Sequence, residues 1–252
     1  MKKFFLAMVM VLALGALLCA QTLDEVLAMN YKAHGGLDRL KSLKSWKMTG
    51  KIVIPAQGLE MPMALWQKSP SQMRVESIFQ GQKIIQAFDG ATAWWIMPFL
   101  SEKAQEMPAE QGKLFRDQAD FENPLVVFRE QGHKLELLGK EDMAGTPVFK
   151  LKLTKADGRE IHYFLDATSG IDLKSALVVK AGESESLVEV LYGDYKPVDG
   201  HMMPFAIENK MNGQTQMQMT IEAIEINPEL ADAFFAMPVE EAEPKAEKAE
   251  KK

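Results

Sequence analysis

Trp94 and Trp95 stand side by side in the apolar run ATAWWIMPF, and this pair restricts the chain more than any other feature. Successive residues of a β-strand point to opposite faces, so the two indoles cannot both enter one ordinary core. One must cover each side of the sheet. A sheet that is apolar on both sides needs a second cover or an apolar ligand. The run closes a meander between Leu59 and Phe99 whose other segments read LEMPMALWQKSP, QMRVESIF and QKIIQAFDG. Turn signals at Pro55 to Gly58, Ser69 to Ser71, Gln80 to Gln82 and Asp89 to Gly90 separate strands spaced as in an antiparallel meander.

Around this meander the order of elements is simple. Thr22 and Glu25 form a capping box, and Leu23, Val26, Leu27 and Tyr31 recur at helical spacing until Gly35 and Gly36. A short turn with Leu37, Leu40 and Leu43 leads into a first strand, Trp46 to Ile54. The meander stops between Leu100 and Gly132. There Asn123 and Pro124 form a cap and first helical position, and Leu125, Val126, Val127 and Phe128 follow, apolar all round. This segment is either a buried core helix or a hinged lid over a cavity. Strands resume at Lys134 and run to Ile226, with turns at Ala144 to Thr146, Ala156 to Gly158, Thr168 to Gly170, Gly182 to Ser184, Val198 to Gly200 and Asn212 to Gly213. The pattern predicts about 11 or 12 strands, more than an open twisted sheet of up to ~10 usually holds without curling. The expected fold is mainly β with α: a curved antiparallel sheet forming an incomplete β-barrel closed by helices.

The two ends read differently from the middle. Lys2 and Lys3 precede an apolar run from Phe4 to Leu18, then Cys19, Ala20 and Gln21, which is the pattern of a secretory signal peptide. The run is shorter than the roughly 20 residues of a spanning helix. Cleavage after Ala20 is expected, and a lipid anchor at Cys19 is disfavoured because bulky Leu18 precedes it. The exported chain then carries no cysteine, which excludes disulfides, thiolate zinc sites and cysteine nucleophiles. Loss of Lys2 and Lys3 takes the formal charge from -6 to -8, and an acidic chain without a basic stripe argues against nucleic acid as a partner. The expected organisation is a signal peptide over 1–20, one binding domain over 21–239 and a disordered tail over 240–252, rich in Glu, Lys, Ala and Pro.

Strand faces supply the best clue to a ligand. In the last strand Gln216, Gln218 and Thr220 alternate with Met217, Met219 and Ile221, one side wet and one apolar. Methionine recurs at Met61, Met63, Met73, Met202, Met203 and Met211. Of 17 methionines, Met1, Met8 and Met10 fall in the leader. Unbranched thioethers repack readily and suit ligands of variable shape; they also serve simply as gap fillers in a loosely specified core.

The order Leu65, Trp66, Lys68, Pro70, then Asp89, Gly90, Trp94 or Trp95, Pro98 and Phe99 resembles the pattern of the LolA-like family, periplasmic carriers and sorters of lipoproteins. More diffuse agreement extends from Gly35 to the Phe-x-x-Pro close at Phe235 and Pro238. The resemblance implies a hydrophobic cavity that shelters acyl chains of lipoproteins or phospholipids and moves them towards the outer membrane. It also implies an inner-membrane transporter that loads them, an outer-membrane acceptor, no cofactor and a monomer. Ser69 stands where the family places an arginine tied to lipoprotein handover, so the fold carries over more fully than the transfer step. The expected cavity lining is Met61, Met63, Leu65, Met73, Val75, Phe79, Trp94, Trp95, Leu125, Phe128, Met217, Met219 and Ile221, and strand parity leaves open which indole faces the hollow.

Two other readings use the same fold, a lipid-sensing regulatory adaptor and a lipid hydrolase. The sequence offers no H-E-x-x-H, G-x-S-x-G, glycine-rich phosphate loop or paired-cysteine metal site, so no enzyme is expected. His34, His133, His162 and His201 are isolated in sequence and read as surface or strand histidines. Arg74 and Glu76 share a strand side and read as an exposed polar face, with docking of a partner as the sharper alternative.

Overall fold

The computed structural model describes residues 21–181 and 184–238. The expected leader over 1–20, including Cys19, residues 239–252 with the charged tail, and Gly182 and Glu183 of an expected turn lie outside the described residues. The chain is mainly β. Its helices are α1 (Leu23–Ala33), α2 (Leu37–Ser42), α3 (Ala109–Ala119) and α4 (Pro124–Val127). The first run of strands is β1 (Ser45–Ile54), β2 (Leu59–Lys68), β3 (Gln72–Phe79), β4 (Gln82–Phe88), β5 (Ala93–Met97) and β6 (Ser101–Glu106). The second is β7 (Lys134–Met143), β8 (Thr146–Thr154), β9 (Glu160–Asp166), β10 (Asp172–Ala181), β11 (Ser184–Val198), β12 (His201–Met211) and β13 (Gln214–Ile226).

These thirteen strands form one open antiparallel sheet in the order β6-β5-β4-β3-β2-β1-β13-β12-β11-β10-β9-β8-β7. The strand beyond the predicted twelve is β6. Its sequence SEKAQE has no apolar alternation, and as a largely exposed edge strand it needs none. By compactness the chain falls into two units, one of residues 1–42 and 123–218, the other of 43–122 and 219–252.

In the first unit α1 opens with the expected capping box: the Thr22 hydroxyl accepts from Glu25 N, and the Glu25 carboxylate accepts Thr22 N–H at 2.8 Å. Gly35 ends this stretch at φ 98°, where a Cβ would lie 2.1 Å from the Gly200 carbonyl oxygen, so only glycine fits. Val26 and Leu27 of α1 and Leu125 and Phe128 at α4 pack on Leu135, Phe149, Leu151, Leu153 and Leu165 of β7, β8 and β9. That cluster is dry and built from leucine, valine and phenylalanine.

In the second unit β1 to β6 form the meander, and α3 is its helix among the described residues. Cross-strand partners share a face. The pairs Ile52–Met61, Gly50–Met63, Met48–Leu65, Leu65–Val75, Gln67–Met73, Met73–Phe88, Phe88–Ala93 and Gln86–Trp95 therefore define one face. The pairs Lys47–Trp66, Trp66–Arg74, Arg74–Ala87 and Ala87–Trp94 define the other. The two indoles do separate, as pleating requires.

Candidate functional site

Four methionines, Met48, Met61, Met63 and Met73, lie on the Trp95 side of the second unit, on three consecutive strands. All four are less than a tenth exposed. With Leu65, Val75, Phe79 and Trp95 they make a methionine face. Seven predicted lining residues are thus brought together: Met61, Met63, Leu65, Met73, Val75, Phe79 and Trp95. Met48 belongs with them although the sequence reading passed over it; its place two residues after Trp46 in β1, on the same side, was the available signal.

The helix covering part of this face is α3. Phe115 and Ala119, with Met107 just before the helix, pack on Met73, Phe88 and Ala93, with Leu65, Val75 and Trp95 half-buried at the margin. The helix is tied at both ends. Met107 N–H donates to the Ala93 carbonyl at 2.8 Å, Phe121 N–H to the Pro70 carbonyl at 3.1 Å, and Gln67 Nε2 to the Gln118 carbonyl at 3.0 Å. The Phe121 ring also lies 4.4 Å from that of Trp46. Between these ties the helix is weakly determined: Pro108 at its N-cap supplies no side-chain acceptor, and Gly112 sits in its interior. Sequence reading missed α3 because its apolar stripe is narrow, with only Gly112, Phe115 and Ala119 buried.

Trp94 lies on the opposite face, fully buried, and its Nε1–H donates to the Phe235 carbonyl at 2.8 Å. Here the second cover is the chain's own C-terminal stretch. The Phe234 ring meets Trp66 edge-on at 5.2 Å and lies 4.7 Å from the Arg74 guanidinium, whose Nη1–H donates to the Phe234 carbonyl at 2.9 Å. Arg74 also donates to Glu76 at 3.0 and 2.8 Å, and Lys83 to the other Glu76 oxygen at 2.9 Å. Lys68 Nζ reaches the Leu230 carbonyl and, at 2.6 Å, Asp232. Arg74 and Glu76 are consequently not an exposed polar face; the C-terminal stretch half-buries them. Burial pushes the Glu76 carboxyl up, and the hydrogen bonds and charges of Lys83 and Arg74 outweigh it, holding it below the usual carboxylate range.

Leu125, Phe128 and Met217 fall in the first unit. Leu125 and Phe128 are in the dry cluster of the first unit. On β13, Met217 and Met219 are half-buried and Ile221 buried, alternating with exposed Gln216, Gln218 and Thr220. Ile221 approaches β1 where Gly50 leaves room, since a Cβ there would meet the Thr220 carbonyl oxygen at 2.1 Å. A separate open pocket of about 390 Å³ is lined by Ala28, Tyr31, Lys32, Gly35, Gly36 and Leu37 of the first unit, none of them predicted as lining.

Of the four histidines, His201 opens β12 as a strand histidine, whereas His34, which caps α1 and is buried, is neither a surface nor a strand group. His34 and His201 are buried, and His34 Nε2 lies 2.6 Å from Asp172. Among the described residues no three His, Cys, Asp or Glu side chains are grouped so as to hold a metal ion, and no helix is long and apolar enough to cross a membrane.

No protein-family model matches the sequence, and no curated protein matches it. Solved structures do match the fold. A putative outer membrane lipoprotein-sorting protein domain from Vibrio parahaemolyticus is 15% identical, with a TM-score of 0.56 over 85% of this chain and 97% of its own. A LolA superfamily protein from Nitrosomonas europaea is 14% identical, with a TM-score of 0.57 over 86% and 98%. A DUF1329 family protein from Desulfovibrio piger ATCC 29098 is 10% identical, with a TM-score of 0.58 over 85% and 97%. The class is therefore settled at the level of fold: the chain has the architecture of LolA-superfamily proteins.

Proposed function

We propose that this protein is a periplasmic lipid carrier that takes acyl chains of lipoproteins or phospholipids onto the methionine face that α3 partly covers and moves them towards the outer membrane. The observation that carries this reading is the clustering of Met48, Met61, Met63 and Met73 on one face whose helical cover in the same unit is uncapped and glycine-containing. Methionine side chains rearrange at little cost, so one face can accept chains of different length and unsaturation. Each buried methylene contributes about 0.8 kcal/mol, so most of a ~16-carbon chain supplies on the order of 10 kcal/mol before ordering costs. No polar anchor or cofactor is needed for that. Met73 lies beneath α3 as the structure stands, so loading displaces α3 and unloading lets it return, and a more apolar acceptor drives the second step. An inner-membrane transporter and an outer-membrane acceptor are the partners such a cycle requires, and the carrier works as a monomer and performs no chemistry on its cargo.

The test is to lock the cover. An ideal Cβ on Gly112 lies 3.5 Å from the Ala93 Cβ, within the ~3.5–4.5 Å that a disulfide spans. Ala93→Cys with Gly112→Cys, in the chain beginning at Gln21, is expected to bind a fluorescent fatty acid when reduced and to exclude it when oxidised. Equal binding in both states rejects α3 as the door. Native mass spectrometry of periplasmic protein tests the carrier reading itself: co-purified intact lipid or acylated protein supports it. Free fatty acid with lysolipid points to hydrolysis, and an empty protein with a stable protein partner points to an adaptor.

A further inference from the structure

Both ring nitrogens of His34 face groups that only accept. Nε2 lies 2.6 Å from Asp172 Oδ2 and Nδ1 3.0 Å from the Met202 carbonyl. A carbonyl has no proton to give, and an ionised carboxylate has none either. A neutral imidazole carries one N–H, so it leaves one of these two contacts as a lone pair against a lone pair. The arrangement is satisfied when His34 is an imidazolium. Asp172 Oδ2 also accepts from Asn30 Nδ2–H at 3.2 Å, and the same amide donates to the Gly170 carbonyl at 2.8 Å.

These bonds tie α1 and the residue that follows it to β10 and β12, within the first unit. We propose that the His34–Asp172 pair is a proton-dependent latch that keeps α1 seated on its sheet and releases it when the imidazolium loses its proton. The latch stands on the first unit alone and does not depend on the lipid reading.

The surroundings leave His34 as the group that titrates. From β11, Tyr195 meets the imidazole edge-on at a centroid distance of 6.0 Å, and its hydroxyl donates to the Asp172 carbonyl at 2.8 Å. Tyr163 of β9 and Tyr192 of β11 also feel the Asp172 charge. Burial pushes all three phenols upward, so they stay neutral across the physiological range. His201 of β12 is pushed the other way, down, by burial and by Arg39, so it is neutral where His34 changes charge. Arg39 itself is engaged by the Asp199 carbonyl at 2.9 Å. Burial alone pulls His34 down, but the hydrogen bond and charge of Asp172, with the Met202 carbonyl, outweigh it and hold His34 above the ordinary 6.5.

The sign follows from linkage. A histidine raised on folding contributes stability in full below about 6.5, its unfolded value, and that contribution is lost as pH rises through the folded value. One proton is involved, so in that window the opening of α1 increases by at most about tenfold per pH unit and levels off above the folded value.

Hydrogen exchange on the whole chain tests this. After correction for intrinsic exchange rates, the amides of α1 are expected to lose protection as pH rises above ~6.5, by no more than about tenfold per pH unit and then to a plateau, while those of α3 stay flat. His34→Gln and Asp172→Asn are each expected to remove the pH slope in α1, whereas a merely structural contact would lower protection at every pH and keep the slope unchanged. Equal slopes in α1 and α3 of the natural protein overturn the latch. So does an NMR titration of the His34 ring with a midpoint at or below the ordinary value, and this reading needs no variant to fold.

Discussion

The two units solve the same problem, covering one face of an antiparallel sheet with helix, using different side chains. In the first, α1 and α4 lay Val26, Leu27, Leu125 and Phe128 on Leu135, Phe149, Leu151, Leu153 and Leu165. In the second, Met48, Met61, Met63, Met73 and Met107 are buried, and α3 contributes little more than Phe115 and Ala119. Branched and aromatic side chains hold few rotamers and specify one packing, whereas methionine fits many. One unit is thus built to be stiff and the other to yield. The same sequence can carry a stable fold and an adaptable surface because the two demands fall on different strands.

The comparison can be broken most directly by Phe128→Asp. The charge would enter a cluster of leucine, valine and phenylalanine with the Arg129 guanidinium, 4.7 Å from the Phe128 ring, as its nearest cation, and the cost is expected to be about 2 kcal/mol or more in urea unfolding. A variant that keeps its midpoint and loses only lipid binding would instead make α4 a lid and the first unit the softer one. Next in size is a pair of substitutions. Leu165→Ala is expected to cost roughly 2–5 kcal/mol. Met63→Leu is expected to cost less than ~1.5 kcal/mol while narrowing the range of acyl lengths that co-purify in native mass spectrometry. Similar costs at both sites would erase the contrast. The smallest effect is electrostatic. Glu76 has a lowered pKa, so its contribution is present above the ordinary 4.5 and lost as pH falls through the folded value. The second unit should weaken in acid, the first above ~6.5 where His34 titrates. Glu76→Gln should flatten the acid limb of denaturation midpoint against pH, and an unchanged limb would remove Glu76 from the account.

Much of the fold was legible from short-range pattern. The capping box at Thr22, the hairpin turns and the opposed faces of Trp94 and Trp95 follow from residues a few positions apart. The edge strand β6 was not legible, since SEKAQE serves as a strand only because β5 pairs with it. Nor was α3, a helix held by Ala93, Pro70 and Gln67 rather than by its own propensity. Parity put Met61, Met63 and Met73 on one face but could not say which indole shares it. That choice rests on Phe235, 141 residues from Trp94. Arg74 and Glu76 looked solvent-facing because the stretch that covers them lies 160 residues away from Arg74.

The amino-acid order by itself determined the strands other than β6, their turns and which side chains of each strand share a face, because the period of two and the turn residues act over a few positions. Only the tertiary structure decided what lies on each face: α3 over Met73, the C-terminal stretch over Trp94, and Asp172, 138 residues away in sequence, against His34. Covers, partners and protonation states are set by contacts between distant segments, and local periodicity carries no information about them.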